Sequence, residues 1–300
     1  MNLQHGDLQL KDLFDGVSGN WSSLTVIGLW IIVGFLCYLI IGNFISLFLL
    51  GIQGVPMQEF VNNPEVILVR YGSELLGANA IGLAVGLGGV ALLASWLDST
   101  RPLKYLRFTK CTPMELGLSC LGFFCLIPIV LGLGILNEQI PLPELLQRME
   151  DQQLIIVEWL STGGGNFWLN VLFVALTPAL FEEVFFRGFV QRRAERSMGI
   201  IGGILFTGIL FGVFHLRLTQ VLPLTALGCY FAYLAWSTGS LWIPMLLHFL
   251  NNGLMLAVSK WGNQSISDPE AIPWILIFTG GILFTICIIF IHNHHGKRQH

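Results

Sequence analysis

Glu182, Glu183 and Arg187 stand in the stretch Phe181-Glu182-Glu183-Val184-Phe185-Phe186-Arg187, which is otherwise apolar and long enough with its flanks to lie in lipid. A charge at bilayer depth costs about 2.5 kcal/mol even on the most lenient insertion scale, and such residues usually face a protein interior and act there. Glu183 and Arg187 are i and i+4 on a helix, so they share a face and can form the ion pair that makes a buried carboxylate tolerable. Glu182 points about 100° away and is free for other work. Two further sets stand at helical spacing, Phe211 with His215 and His248 with Asn251 and Asn252. A carboxylate beside an imidazole can hold and deprotonate a water, because a desolvated Glu is a stronger base and His titrates near neutrality. A second His with an Asn supplies donors for a developing oxyanion. Together these parts suit hydrolysis of an amide by activated water. No Ser or Cys nucleophile has an obvious partner, and no His-Glu-x-x-His zinc motif occurs. Glu182, His215 and His248 could instead ligate a divalent metal, a set that zinc accepts.

The elements that carry these residues are membrane helices. Hydrophobic residues make up 54% of the 300 and charged residues 11%, about half the charge of a soluble domain. Apolar runs long enough to cross about 30 Å of hydrocarbon occur near residues 24–50, 74–97, 115–136, 167–190, 200–217, 221–237, 241–258 and 272–292. The expected fold is therefore an all-α polytopic integral membrane protein of about eight helices. One domain suffices, with a polar lead over 1–23, a helical core over 24–292 that holds the motifs in 167–258, and a tail over 293–300. The first run begins too late and runs too long for a cleaved signal, so it reads as an anchor. Asp7, Asp12 and Asp15 stand against Lys11 in the lead. With the N-terminus inside, the inner segments hold eleven of the 15 Lys and Arg residues and the outer ones hold Arg70, Arg148, Arg217 and Lys260, which predicts two cytoplasmic termini. The net charge of −3 argues against nucleic acid as a partner. Five of six cysteines fall in predicted spans, so no disulfide framework is indicated.

Depth tests whether the motif residues can meet. A hairpin turn at Ser197-Met198-Gly199 would put Glu182 and His215 at nearly equal distances from the turn, hence at equal depth on antiparallel helices. His248 and Asn252 start from a shallower level, and Pro178 and Pro244 are the expected places for a break that absorbs the offset. Gly82-x-x-x-Gly86 with Gly88 and Gly89, and Gly199, Gly203, Gly208 and Gly212, form small-residue faces for close helix contacts. The loop from Asp98 to Pro113 reads as an orientation signal. Residues 144–160 read as an interfacial amphipathic helix and connector that ends in a joint at Gly163-Gly164-Gly165. The histidine-rich end from His292 to His300 lacks the carboxylates or cysteines of a specific metal site.

Glu182-Glu183-x-x-x-Arg187, Phe211-x-x-x-His215 and His248-x-x-x-Asn252 resemble the three motifs of the type II CAAX prenyl endopeptidase and bacteriocin-processing family of intramembrane proteases. The resemblance covers roughly residues 167–258. It implies an eight-helix core with a water-accessible polar cavity, in which Glu182 and His215 activate the hydrolytic water and His248 and Asn252 stabilise the oxyanion. Glu183, Arg187 and Phe211 would support the site. It further implies a membrane-associated or lipidated peptide as substrate, the lipid bilayer as surroundings, and the cell membrane of a prokaryote as location. Members of the family also include bacteriocin-immunity proteins and non-catalytic scaffolds, so a scaffold or regulator stands as the alternative function. An ion-coupled transporter is the third, since buried Glu and His also build proton relays, although no paired inverted repeats appear.

Overall fold

The computed structural model describes residues 23–262 and 273–298 and is helical throughout. The lead with its Asp and Lys residues, the 263–272 connection and the last two residues lie outside the described residues. Helix α1 spans Ser23–Ile52, a short α2 Met57–Asn62, α3 Pro64–Asp98 and a one-turn α4 Pro102–Tyr105. Next come α5 at Pro113–Glu138 and α6 at Glu144–Ser161. The run Phe167–Phe214 follows, then α9 at Val221–Thr238, α10 at Trp242–Trp261 and α11 at Trp274–Arg298.

Seven helical runs among the described residues are long and apolar enough to cross a membrane. The longest of them, Phe167–Phe214, is two of the predicted spans joined through Gly199, whose φ of 74° and ψ of 173° break the helix. A Cβ on Gly203 would lie 2.7 Å from the Glu195 amide nitrogen, so the chain folds back there. The expected turn is therefore present, and the two arms are α7 (167–198) and α8 (200–214). The protein is a polytopic integral membrane protein. Two boundaries differ from the hydropathy reading. Helix α3 starts at Pro64 rather than near residue 74, because Glu65, Arg70 and Glu74 lower the apolar average without stopping a helix that has Pro at its first position. Helix α11 runs on to Arg298, so most of the expected tail is the last turns of that helix.

Two apolar clusters organise the bundle. One gathers Leu87, Leu106, Phe185, Phe186, Phe189, Phe211 and Leu241, and the other Phe123, Tyr230, Phe231, Leu234, Leu247 and Ile291. The glycine face of α3 does what its spacing predicts. Gly82 and Gly86 meet the backbone of Tyr38 and Gly42 on α1, and Gly88 meets the Phe181 ring beside Glu182. Gly86→Ala is expected to lower stability by about 1–3 kcal/mol, read as thermal unfolding in detergent, because the new methyl would overlap Tyr38 backbone that cannot swing aside. On α8 the outcome is divided. Gly203 faces α7, whereas Gly208 and Gly212 lie against Cys229, Thr225 and Val221 on α9.

The Asp98–Pro113 loop is more than a run of charges. Asp98 pairs with Arg193, Arg107 pairs with Glu195 at 2.5 Å, and Arg192 Nε donates to the Tyr105 carbonyl at 2.7 Å. Burial and the Asp98 carboxylate push the Tyr105 phenol up to about 12, so it stays a donor to Asp98 at neutral pH. Helix α6 matches its predicted range, with Leu145, Leu154, Ile156 and Val157 exposed. The glycines after it serve packing as well as turning: Gly164 and Gly165 seat against Trp159, and Gly163 and Gly165 have φ of 88° and 71°.

Candidate functional site

The three motif sets converge. Glu182 is 7% exposed, Glu183 and Arg187 are fully buried, and His248 is 2% exposed, while His215, Asn251 and Asn252 are half-buried. Helix α7 changes pitch around them, with π-helical turns at Val171–Leu176 and Val184–Val190 on either side of the glutamates. Such turns widen the helix and are frequent at functional sites.

Glu183 is the hub. Its Oε1 accepts from Arg187 at 2.9 Å and from His248 Nδ1 at 2.9 Å. The Arg187 contact is the expected i, i+4 pair. The His248 contact joins α7 to α10, and spacing alone could not show it. A carboxylate oxygen already held by Arg187 can only accept, so His248 carries its proton on Nδ1 toward Glu183 and keeps Nε2 for other partners. Arg187 donates also to the Gly228 carbonyl at 3.2 Å, and its guanidinium lies 4.2 Å from the Phe211 ring centre, 5.6 Å from Phe231 and 5.9 Å from Phe186. Those faces partly replace lost hydration of the cation.

Glu182 stands differently. Its Oε2 is buried without a hydrogen-bond partner among the described residues, and no ion pair holds it there. His215 lies 16 residues after Gly199 and Glu182 17 before it, the matched depth that the turn requires. Glu182, His248 and Arg187 all lie within electrostatic reach of the His215 ring. His215 Nδ1 lies 2.7 Å from the Phe211 carbonyl, which can only accept, so its Nε2 is the basic nitrogen. Phe211 packs edge-on to both imidazoles, at 4.6 Å from His215 and 5.5 Å from His248. It holds the two rings in place.

Asn252 has a partner the sequence reading missed. Pro178 has no N–H, so the Val174 carbonyl four residues earlier lacks its usual donor. Asn252 Nδ2 donates to that carbonyl at 3.1 Å, and Asn251 donates to Asn252 Oδ1 at 3.2 Å. Neither expected break is a kink of the polypeptide. Pro178 lies in the first turn after a π-helical segment, and Pro244 lies in the first turn of α10, where its missing N–H costs nothing. The Asn252–Val174 bond makes a testable pair. Asn252→Ala should cost about 1–3 kcal/mol in thermal unfolding by leaving a carbonyl unsatisfied, and less in a Pro178→Ala background where the backbone can supply the donor.

Beneath the ion pair lies a polar layer without a sequence signal. Gln191 donates to the Ala232 carbonyl at 2.9 Å and to Glu195 at 2.7 Å, and Arg107 donates to the Arg187 carbonyl at 3.2 Å. Phe231 stacks on His248 at 5.9 Å. On the other side Tyr38 interacts with Glu182 and donates to Asn79 at 2.8 Å. Among the described residues no group of three His, Cys, Asp or Glu side chains is close enough to hold a metal ion, and the bond from His248 Nδ1 to Glu183 leaves its Nε2 available. A cleft of about 550 Å³ opens near the end of α8, lined by Glu138, Glu150, Asp151, Arg217 and Thr219. Glu150 fastens α6 to Thr219, and Arg217 is two residues past His215.

Residues 164–254 match the model of the Rce1-like family, described as type II CAAX prenyl endopeptidase Rce1-like. That stretch holds every motif residue above, from α7 to α10. The chain is also 26% identical over 112 residues to a Bacillus subtilis (strain 168) protein named "Putative membrane peptidase YdiL". The aligned part is 37% of this chain and 46% of that protein, so the chain spans about half the length of this relative. No solved structure matches.

Proposed function

We propose that the protein is an intramembrane endopeptidase that hydrolyses a peptide bond of a membrane-associated or lipidated peptide with water as nucleophile. The observation that carries this is the contrast between neighbouring glutamates: each has a buried, unpartnered Oε2, but Glu183 is held through Oε1 by a cation and an imidazole, whereas no ion pair among the described residues holds Glu182, and His215 keeps a basic Nε2. Glu182 and His215 take the proton of the attacking water. Glu183 fixes His248 through Nδ1 and supports its protonated form, whose Nε2–H donates to the oxyanion, and the proton taken by Glu182 and His215 passes to the leaving amine. Asn252 has one amide proton committed to Val174 and one left for the carbonyl oxygen.

The test is cleavage of membrane-tethered peptides by purified protein in liposomes, with products identified by mass spectrometry. Turnover by wild type that is lost in Glu182→Ala and His215→Ala supports the reading. Equal turnover by wild type and Glu182→Ala sinks it.

A further inference from the structure

Arg107 is singular among the basic residues of the Asp98–Pro113 loop. It is 5% exposed, and its φ of 63° lies in the left-handed region that side-chain-bearing residues seldom occupy. An outlier of that kind persists only where its surroundings hold it, and such residues cluster at functional sites.

Its contacts reach two of the three helices that bear a motif. Nη1 donates to the carbonyl of Arg187, one turn beyond Glu183 on α7. Nη2 pairs with Glu195, which sits at the α7–α8 hairpin against Gly203, and α8 leads to His215. The backbone carbonyl of Arg107 accepts from the Leu241 amide at 2.9 Å, the residue that opens α10, two turns before His248. Neighbouring bonds brace that last contact: Thr109 Oγ1 donates to the Gly239 carbonyl at 2.5 Å, and Ser240 Oγ donates to the Thr109 carbonyl at 2.7 Å. The left-handed turn at Arg107 lets one residue aim its side chain at α7 while its carbonyl faces α10.

We infer that Arg107 is a positioning residue for the site, tying α7 to α10 in the register of the Glu183–His248 contact. The inference rests on the hydrolytic reading above. Arg107 touches no reacting atom and acts through the Glu183–His248 contact, which exists only if α7 and α10 keep their relative height. One ångström of misplacement far from the chemistry can cost 100-fold in rate.

Two measurements test it on full-length protein in detergent or liposomes. In steady-state cleavage, Arg107→Ala should lower kcat about 10- to 100-fold with KM within about twofold of wild type. Arg107→Lys, which keeps the charge and can serve one of the two acceptors, should fall between them, and Lys110→Ala, an exposed neighbour, should match wild type. Independently of activity, ¹⁵N-histidine NMR should show the His248 Nδ1–H resonance, assigned by its loss in His248→Asn, shifted or broadened in Arg107→Ala. An unchanged kcat, or a His248 resonance identical to wild type, overturns the inference. Should Arg107→Ala not fold, Arg107→Lys and Glu195→Gln carry the same two readouts. If wild type cleaves nothing, the hydrolytic reading falls and the His248 resonance alone decides the role of Arg107.

Discussion

Glu182→Gln is expected to reduce cleavage by about 10²- to 10⁴-fold, the range of a lost general base, while stability changes by no more than about 1 kcal/mol. Both halves follow from the same geometry. Gln keeps the shape of the side chain but cannot take a proton from water. Because no ion pair among the described residues holds Glu182, removing its charge strands nothing, and it relieves burial of a carboxylate whose Oε2 has no partner. Initial rates at saturating peptide and thermal unfolding of the same preparation check the two. Retained turnover would remove Glu182 from the chemistry. A large melting loss would make it structural.

Glu183→Gln should do the reverse to the fold. It leaves Arg187 fully buried without its counter-charge and weakens the acceptor of His248, a break that costs about 3–5 kcal/mol in comparable buried pairs. Thermal unfolding should therefore separate the two Gln variants clearly, and equal losses would overturn the division of labour between the adjacent glutamates. Replacing the pair together, as Glu183→Leu with Arg187→Met, should recover much of the stability, since an apolar pair of similar volume needs no desolvation. Activity should stay lost in that variant. His248 would then have no carboxylate behind Nδ1 to fix its tautomer or support its imidazolium. A stable and active double variant would show that the Glu183–His248 contact is dispensable.

Much was legible in the linear chain because membrane helices obey two simple rules, an apolar length and a 3.6-residue face. The lengths account for the spans. The spacing accounts for the Glu183–Arg187 pair, and equal counts from Gly199 account for the matched depth of Glu182 and His215. Everything that depends on which helices touch was out of reach. His248 could be read as an oxyanion donor, but not as a partner of Glu183, because that contact is between residues 65 apart on α7 and α10. Asn252 looked like a free amide until the carbonyl vacated by Pro178 appeared opposite it. Arg107 looked like one positive charge among four in a loop, a composition that orientation alone explains.

Sequence by itself determined an all-helical membrane protein, the identity of the polar residues that a bilayer would not tolerate without use, and the two faces on which the glutamates lie. Those are local consequences of hydrophobicity and helical pitch. Tertiary structure alone decided that Glu183 serves two partners, that Phe211 and Phe231 enclose Arg187, and that the Asp98–Pro113 loop bolts the motif helices together. Burial of a charge is a collective property: the helix that carries it poses the demand, and only the packing of the others answers it.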